Sequence, residues 1–189
     1  MSRGGGLRAL LAAAGAAAVL LAPACGGGGG GGGGPTQPPP PQPAITFTPS
    51  VGAGVNSIAL ARAGQGATRL SLEVRATGVN QLYGVSFDLG FPAAVLDFAG
   101  FDEGGFLDGG GAFDTAVQVV ETPAGNLVVG ATRLGAVGGA SGDGVLLTLH
   151  FDAVAAGSGP IAFDGPQAFD RNNPQVGVQW VGGNVQVTR

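Results

Sequence analysis

The densest group of metal-ligating side chains lies in the segment FDEGGFLDGGGAFD, residues 101–114. It contains four carboxylates, at Asp102, Glu103, Asp108 and Asp114. Carboxylate oxygens on a flexible loop are the ligands that Ca²⁺ prefers. A calcium site is therefore one interpretation of this segment, although the spacing departs from D-x-D-x-D-G. A solvated loop that spans two strands is the alternative.

The only histidine, His150, lies in the apolar-polar alternation LTLHFDA. A histidine that acts as a general base needs a nucleophile or a carboxylate beside it, and a zinc site needs three or four ligands. The segment GGASGDG lacks the second glycine of a nucleophile elbow, because Asp143 occupies that position. The sequence therefore predicts that the protein is not an enzyme. A hydrolase would require carboxylate pairs that converge on His150 in a cleft.

The N-terminal residues have the pattern of a secretion signal. Arg3 and Arg8 precede an apolar run over residues 9–22, which is shorter than the roughly 20 residues that span a bilayer. Cys25 follows LAPA, where a bacterial lipoprotein signal has its acylated cysteine. We therefore predict a signal peptide over residues 1–24 and lipidation of Cys25. The small residues before Cys25 also fit ordinary signal cleavage, which would give a secreted protein.

Residues 25–43 are predicted to form a disordered linker. Nine consecutive glycines are followed by PTQPPPPQP. A glycine tract behaves as a random coil, and a proline tract forms an extended rod. The linker is either a tether that holds the domain away from a membrane or low-complexity drift. These features together predict a lipid-anchored protein of the bacterial cell envelope, facing the surface or the periplasm.

Residues 44–189 have the size and composition of one folded domain. Without Arg3 and Arg8, six arginines remain against twelve acidic residues, a net charge of −6, and the chain contains no lysine. Such an acidic surface argues against nucleic acid as a partner and against direct binding to anionic lipid headgroups. Because Cys25 is the only cysteine, the domain has no intrachain disulfide.

The domain is predicted to be all-β, because short alternating segments are separated by clusters of Gly, Pro, Asn and Asp. In LSLEVR, Leu70, Leu72 and Val74 should face the core, and in GVSFDLGF the same is expected of Val85, Phe87, Leu89 and Phe91. In VLLTLHF the expected core residues are Val145, Leu147, Leu149 and Phe151. The eleven candidate strands are 45–47, 57–62, 70–76, 82–91, 95–101, 115–122, 126–134, 145–153, 160–163, 176–180 and 184–188.

Four segments resemble the cohesin family over nearly all of residues 56–188. They are LSLEVRATGV with LYGVSFDLGFPAAVLDF, PAGNLVVGATRLG, GDGVLLTLHFDAVAAGSGPIAF and GGNVQV. The resemblance implies a nine-stranded β-sandwich with jelly-roll topology. It also implies a non-catalytic module that docks a partner protein, a dockerin or a diverged equivalent, in a setting of polysaccharide breakdown. In cohesins an Asn-x-Asp on the strand that matches GVSFDLG contacts the dockerin, but the equivalent positions here are Gly84 and Ser86.

The resemblance therefore implies docking on an outward sheet face, with Ser86, Asp88 and Arg133 as the candidate contact residues. Direct binding of a polysaccharide is the alternative. Sugar-binding sites need exposed aromatic rings, and only Trp180 and Tyr83 offer a Trp or Tyr side chain. Stacking on a polysaccharide therefore requires these two rings to be exposed and coplanar, whereas soluble glycans could be held by hydrogen bonds from Asp and Arg side chains.

Overall fold

The computed structural model describes residues 44–123, 125–172 and 174–188. The predicted signal peptide, Cys25 and the linker lie outside the described residues. The described chain contains eleven strands and one short helix. In chain order they are β1 Ala44–Pro49, β2 Ser57–Gln65, β3 Arg69–Leu82, β4 Gly84–Gly90, β5 Leu96–Glu103, α1 Gly105–Asp108, β6 Thr115–Thr122, β7 Asn126–Arg133, β8 Ala140–Ala153, β9 Gly157–Phe169, β10 Gln179–Val181 and β11 Gly183–Thr188.

The strands form two sheets. The six-stranded sheet has the order β1-β11-β9-β4-β7-β6, and the five-stranded sheet has the order β10-β2-β3-β8-β5. The short pair β10–β2 is parallel, whereas the long central pairs such as β3–β8 and β4–β7 are antiparallel. The predicted all-β sandwich is confirmed. The count of nine strands is wrong, because all eleven alternating segments pair within a sheet, including the three-residue β10 at an edge.

The core lies between the sheets and follows the predicted alternation. Leu70, Leu72 and Val74 on β3 have no exposed surface, and neither does Leu89 on β4. The other predicted core residues of that segment, Val85, Phe87 and Phe91, are buried as well. Each fully buried aliphatic or aromatic side chain stabilises the fold by about 1.5–3 kcal/mol relative to exposure. One continuous apolar cluster thus joins both sheets.

Strand β8 departs from the predicted alternation at one point. Val145 is only half-buried, whereas its neighbour Leu146 is 1% exposed. The pairing with β3 skips Leu146, since Val74 lies opposite Leu147 and Arg75 lies opposite Val145. This is a β-bulge, in which the extra residue changes the direction of the side chains that precede it. The predicted core positions Leu147, Leu149 and Phe151 are confirmed.

The segment after β5 contains the helix α1, which the sequence did not predict. Gly109 ends the helix in the left-handed conformation at φ 65°, where a residue without Cβ is favoured. Leu107 holds the segment to the core, because it is 2% exposed, while Phe106 is half-buried. Among the described residues no helix is both long enough and apolar enough to span a bilayer.

Candidate interaction surface

The four carboxylates of the predicted calcium site are not brought together. Asp102 lies 2.9 Å from Nε2 of His150, and the Asp108 carboxylate accepts a hydrogen bond from the backbone N–H of Gly110. Glu103 and Asp114 are exposed at the ends of the segment. Across the described ranges no group of three or more His, Cys, Asp or Glu side chains could hold a metal ion. The described arrangement gives the calcium interpretation no support.

His150 lies between a hydroxyl and a carboxylate on the outer face of the five-stranded sheet. Its Nδ1 is 2.9 Å from Oγ of Ser71, and its Nε2 is 2.9 Å from Oδ2 of Asp102. A hydrolytic triad uses Nε2 toward the serine and Nδ1 toward the acid, in a site that excludes water. Here the ring contacts are reversed and the Asp102 side chain is 77% exposed. The three residues form a cross-strand polar network rather than a catalytic cleft.

Two arginines on this outer face are paired with acids. Arg69 donates two hydrogen bonds to the carboxylate of Asp152, at 2.8 and 2.9 Å, and Arg75 donates one to Glu73. Asp97 on β5 is exposed opposite Asp152, and none of the ion pairs in the described residues includes it. The hydrogen bond from Arg69 holds the pKa of Asp152 below its ordinary value. Because both groups are exposed, the pair adds little stability. Its contribution is present above the unfolded-state pKa and is lost as the pH falls through the lowered pKa.

The outer face of the six-stranded sheet is different. Over β6, β7, β4 and β9 the strands are in register, so that Gln118, Gly130, Ser86 and Gln167 form one row across the sheet. Most of the outward side chains are small or apolar, which makes this surface flat. We call it the platform, and its outward residues are Ala116, Gln118, Val120, Val128, Gly130, Thr132, Gly84, Ser86, Asp88, Asp164 and Gln167.

Two shallow grooves lie on the platform. The larger, of about 520 Å³, extends over Gly84 and Gly130 and is bordered by Tyr83 and Arg171. The Tyr83 hydroxyl donates a hydrogen bond to the Gly135 carbonyl at 2.6 Å, which fixes the ring at the groove margin. The smaller groove, of about 330 Å³, includes Ser86, Asp88, Val128, Asp164 and Gly165. Two of the three predicted contact residues, Ser86 and Asp88, therefore lie on this face.

Asp88 on β4 lies directly opposite Asp164 on β9. Like charges that face each other across strands destabilise a sheet. The Asp88 carboxylate accepts one long hydrogen bond, 3.5 Å from Nδ2 of Asn126. The ion pairs found in the described part of the chain involve neither aspartate. This pair of negative charges is thus open to a cation from outside the chain.

A β-bulge shapes the smaller groove beside these aspartates. Ser86 pairs with Gln167 and Asp88 with Asp164, so β9 has an extra residue at this point. Gly165 lies in the bulge at φ 53°, and a Cβ at that position would meet no atom within 4 Å. A glycine in the left-handed conformation is the usual first residue of such a bulge. The bulge leaves Asp164 exposed at the groove.

Arg133, the third predicted contact residue, is not on the platform. It is 7% exposed, and its guanidinium donates hydrogen bonds to the carbonyls of Leu107 and Gly138 at 2.5 and 2.6 Å. The guanidinium also lies 4.5 Å from the centre of the Phe113 ring. Arg133 therefore fastens the α1 segment to the loop after β7. This position does not support its predicted role as a partner contact, because the side chain is buried and Nε and Nη1 both donate within the domain.

The two candidate sugar-stacking rings are separated. Trp180 packs against Phe87 and Phe163, with ring centres 5.6 and 5.0 Å apart, at one edge of the sandwich. Tyr83 borders the groove on the platform. Trp180 is half-buried in this aromatic cluster and not part of that groove. The two rings therefore do not line one groove together, as stacking on a polysaccharide would require.

Comparison with solved structures places the fold among cohesins. The domain is similar to a non-cellulosomal cohesin from the archaeon Archaeoglobus fulgidus, with a TM-score of 0.50, 18% identity, and coverage of 75% of this chain and 88% of that chain. It is similar to the sixth cohesin of scaffoldin B from Acetivibrio cellulolyticus, solved in complex with a dockerin, with a TM-score of 0.51, 18% identity, and coverage of 64% and 89%.

A type II cohesin from Bacteroides cellulosolvens is similar as well, with a TM-score of 0.53, 12% identity, and coverage of 74% of this chain and 95% of that chain. At these identities the likeness establishes a cohesin-like fold. The sequence matches no protein-family model, and it has no significant match among curated proteins.

Proposed function

We propose that this chain is a non-catalytic docking module that binds a protein partner of dockerin type on the platform. The proposal draws on the cohesin-like fold, because one of the similar structures is a cohesin in complex with a dockerin. It also draws on the chemistry of the two outer faces. The five-stranded sheet pairs two arginines with acids, at Arg69–Asp152 and Arg75–Glu73, whereas the ion pairs in the described residues include neither Asp88 nor Asp164 of the platform.

The opposed carboxylates of Asp88 and Asp164 are the observation that carries the proposal. A sheet that keeps two like charges in register gives up stability there. A lysine or arginine from a partner would neutralise both carboxylates at once, and hydrogen bonds to ionised groups are the stronger ones. The flat, small-residue rows beside the pair would accommodate the side chains of a helix or strand laid across them. The expected partner surface is therefore basic at its centre and apolar around it.

Neutralising Asp164 should raise the stability of the domain and weaken its binding to the partner. We expect Asp164→Asn to raise the free energy of unfolding by about 0.2–1 kcal/mol, because the repulsion from Asp88 is removed. The same change should slow association with the partner and weaken its dependence on salt, because complementary charge steers the encounter. Chemical denaturation and surface plasmon resonance against dockerin modules encoded in the same genome measure the two effects.

Asp97→Asn is the matched control, since Asp97 is an exposed acid on β5 of the other sheet. It should leave association unchanged. Equal binding by wild type and Asp164→Asn would contradict the role of the aspartate pair. Titration of soluble glycans, with no response to any dockerin module, would favour the carbohydrate alternative instead.

We also propose that Cys25 is acylated and holds the module at the bacterial envelope through the segment 26–43. The support is the sequence LAPAC followed directly by a glycine and proline tract. The Cys25→Ser variant should move from the membrane fraction to the soluble fraction. The intact mass of the membrane-extracted wild type should exceed that of the cleaved polypeptide by the attached lipid. An unmodified mass would show ordinary signal cleavage.

A further inference from the structure

Strand β6 is a sheet edge with an unusual lack of protection. It is the last strand of the six-stranded sheet and pairs with β7 alone. Leu134 donates its backbone N–H to the carbonyl of Asp114, so these two residues form a hydrogen-bonded pair. In an antiparallel ladder such pairs recur at every second residue, and the residues between them direct their backbone groups away from the partner strand. The backbone groups of Thr115, Val117, Val119 and Glu121 therefore point away from β7. In the described chain these groups have no backbone partner.

The other sheet edges are each blunted in a recognisable way. β5 is interrupted by a bulge at Gly100 and carries acidic residues at Asp97, Asp102 and Glu103. β1 ends in Pro49, and its Ile45 carbonyl accepts a hydrogen bond from Arg62. β10 is three residues long. β6, with the sequence TAVQVVET, runs for eight residues in unbroken register and has one charge, no proline and no glycine.

Apolar exposure is concentrated around the same edge. Phe113 and Leu134 are 39% and 46% exposed just beyond the ends of β6 and β7, and Val120 and Val128 are 45% and 44% exposed on the platform. These four are a majority of the seven large apolar side chains that are exposed in the described residues. Val120 lies opposite Val128 toward one end of β6, and Phe113 and Leu134 lie beyond the other end, so exposed apolar side chains flank the edge at both ends.

We propose that β6 pairs antiparallel with β6 of a second copy of this chain. The sequence of β6 is self-complementary when Gln118 lies on the twofold axis. Each Gln118 then faces its counterpart, Val117 faces Val119, and Ala116 faces Val120. Glu121, the one charged residue of the strand, faces the neutral Thr115. The pairing therefore places no like charges opposite each other and satisfies all the free backbone groups of both edges.

The association closes at two copies, because each copy has a single edge of this type and the contact uses it twofold. Two six-stranded sheets become one continuous sheet. The twofold axis of an antiparallel pair is perpendicular to the sheet, so both platforms face the same side. A dimer of this kind presents two docking surfaces together, which strengthens binding to a partner that has two matching modules. The pairing itself does not depend on the proposed docking function.

Charge variants at Gln118 test the pairing. Sedimentation velocity of the full chain without any partner, over about a hundredfold range of concentration, should show a monomer–dimer equilibrium. Reducing conditions prevent Cys25 from linking copies. Gln118→Lys and Gln118→Glu should each raise the dimer dissociation constant by about tenfold or more, because like charges then meet at the axis. An equimolar mixture of the two variants should restore dimers.

Gln186→Lys is the control, because Gln186 is exposed on β11 of the same sheet and the charge change is identical. It should leave the dimer unchanged. A wild type that is monomeric throughout would overturn the proposal. Equal effects of Gln118→Lys and Gln186→Lys on the dimer would also overturn it. A mixture of Gln118→Lys and Gln118→Glu that stays monomeric would do the same. A monomer that instead binds an extended peptide with the β6 sequence would assign the edge to a foreign strand.

Discussion

Replacement of Phe151 by alanine is expected to lower the free energy of unfolding by about 3–5 kcal/mol. Phe151 has no exposed surface and lies on β8, between β3 and the edge strand β5 of the five-stranded sheet. Its ring centre is 5.1 Å from that of Phe91, which follows β4, and 5.8 Å from that of Phe98 on β5. The ring thus joins the two sheets, and its removal leaves a cavity that the packed strands cannot fill.

Chemical denaturation measures this loss. Natural domains are stable by about 5–15 kcal/mol, so the variant should remain foldable but near its limit. Phe113→Ala is the control, because Phe113 is 39% exposed and contacts Arg133 from outside the core. It should cost about 0.5–1 kcal/mol. If Phe151→Ala does not fold, Phe151→Leu should cost about 1 kcal/mol. A loss at Phe151→Ala no larger than at Phe113→Ala would contradict the assigned core.

The alternation of apolar and polar residues was sufficient to predict an all-β domain and the buried face of its long strands. In a strand with one buried face, a one-residue slip would expose the whole apolar set, so the pattern leaves a single register. Leu70, Leu72 and Val74 follow this rule throughout. The rule failed at Leu146, because the bulge depends on the pairing with β3 and has no local signal. The four-residue helix α1 was not predicted either, because it also has no local signal in the sequence.

The candidate site was only partly predictable. Ser86 and Asp88 could be placed on an outward face from the alternation around them. Arg133 could not be recognised as buried, because its partners Leu107 and Gly138 lie on α1 and on the loop after β7, which only the fold brings together. Carboxylates close in sequence suggested a metal site, but the fold directs Asp102 to His150 and Asp108 to the backbone.

The pair that carries the proposed function has no trace in the linear sequence. Asp88 and Asp164 meet through the register of β4 with β9, two strands that are far apart along the chain. The difference between the two outer faces is also a property of strand order. Each sheet places two acids opposite each other, Asp97 and Asp152 on one and Asp88 and Asp164 on the other. Arg69 pairs with Asp152, whereas none of the ion pairs in the described residues includes Asp88 or Asp164. Only the pairing of strands reveals which face is left open.

Gly130 offers the second large effect, because it lies in the middle of the platform. It is opposite Ser86 on one side and Gln118 on the other. A Cβ at Gly130 would meet no atom within 4 Å, and its backbone φ is not in the left-handed region. A large side chain can therefore project from the platform without straining the sheet. Gly64 on β2 has the same freedom on the other sheet, so Gly64→Trp is a matched control.

The most direct test is a calorimetric titration of wild type, Gly130→Trp and Gly64→Trp with a dockerin module that binds the wild type. Thermal melts should first show that all three proteins are folded. We expect Gly130→Trp to weaken binding by about 100-fold or more, since a bulky ring at the centre of an interface prevents close contact over its surroundings. Gly64→Trp should bind as the wild type does. Undiminished binding by Gly130→Trp, or loss of binding in Gly64→Trp alone, would contradict docking on the platform.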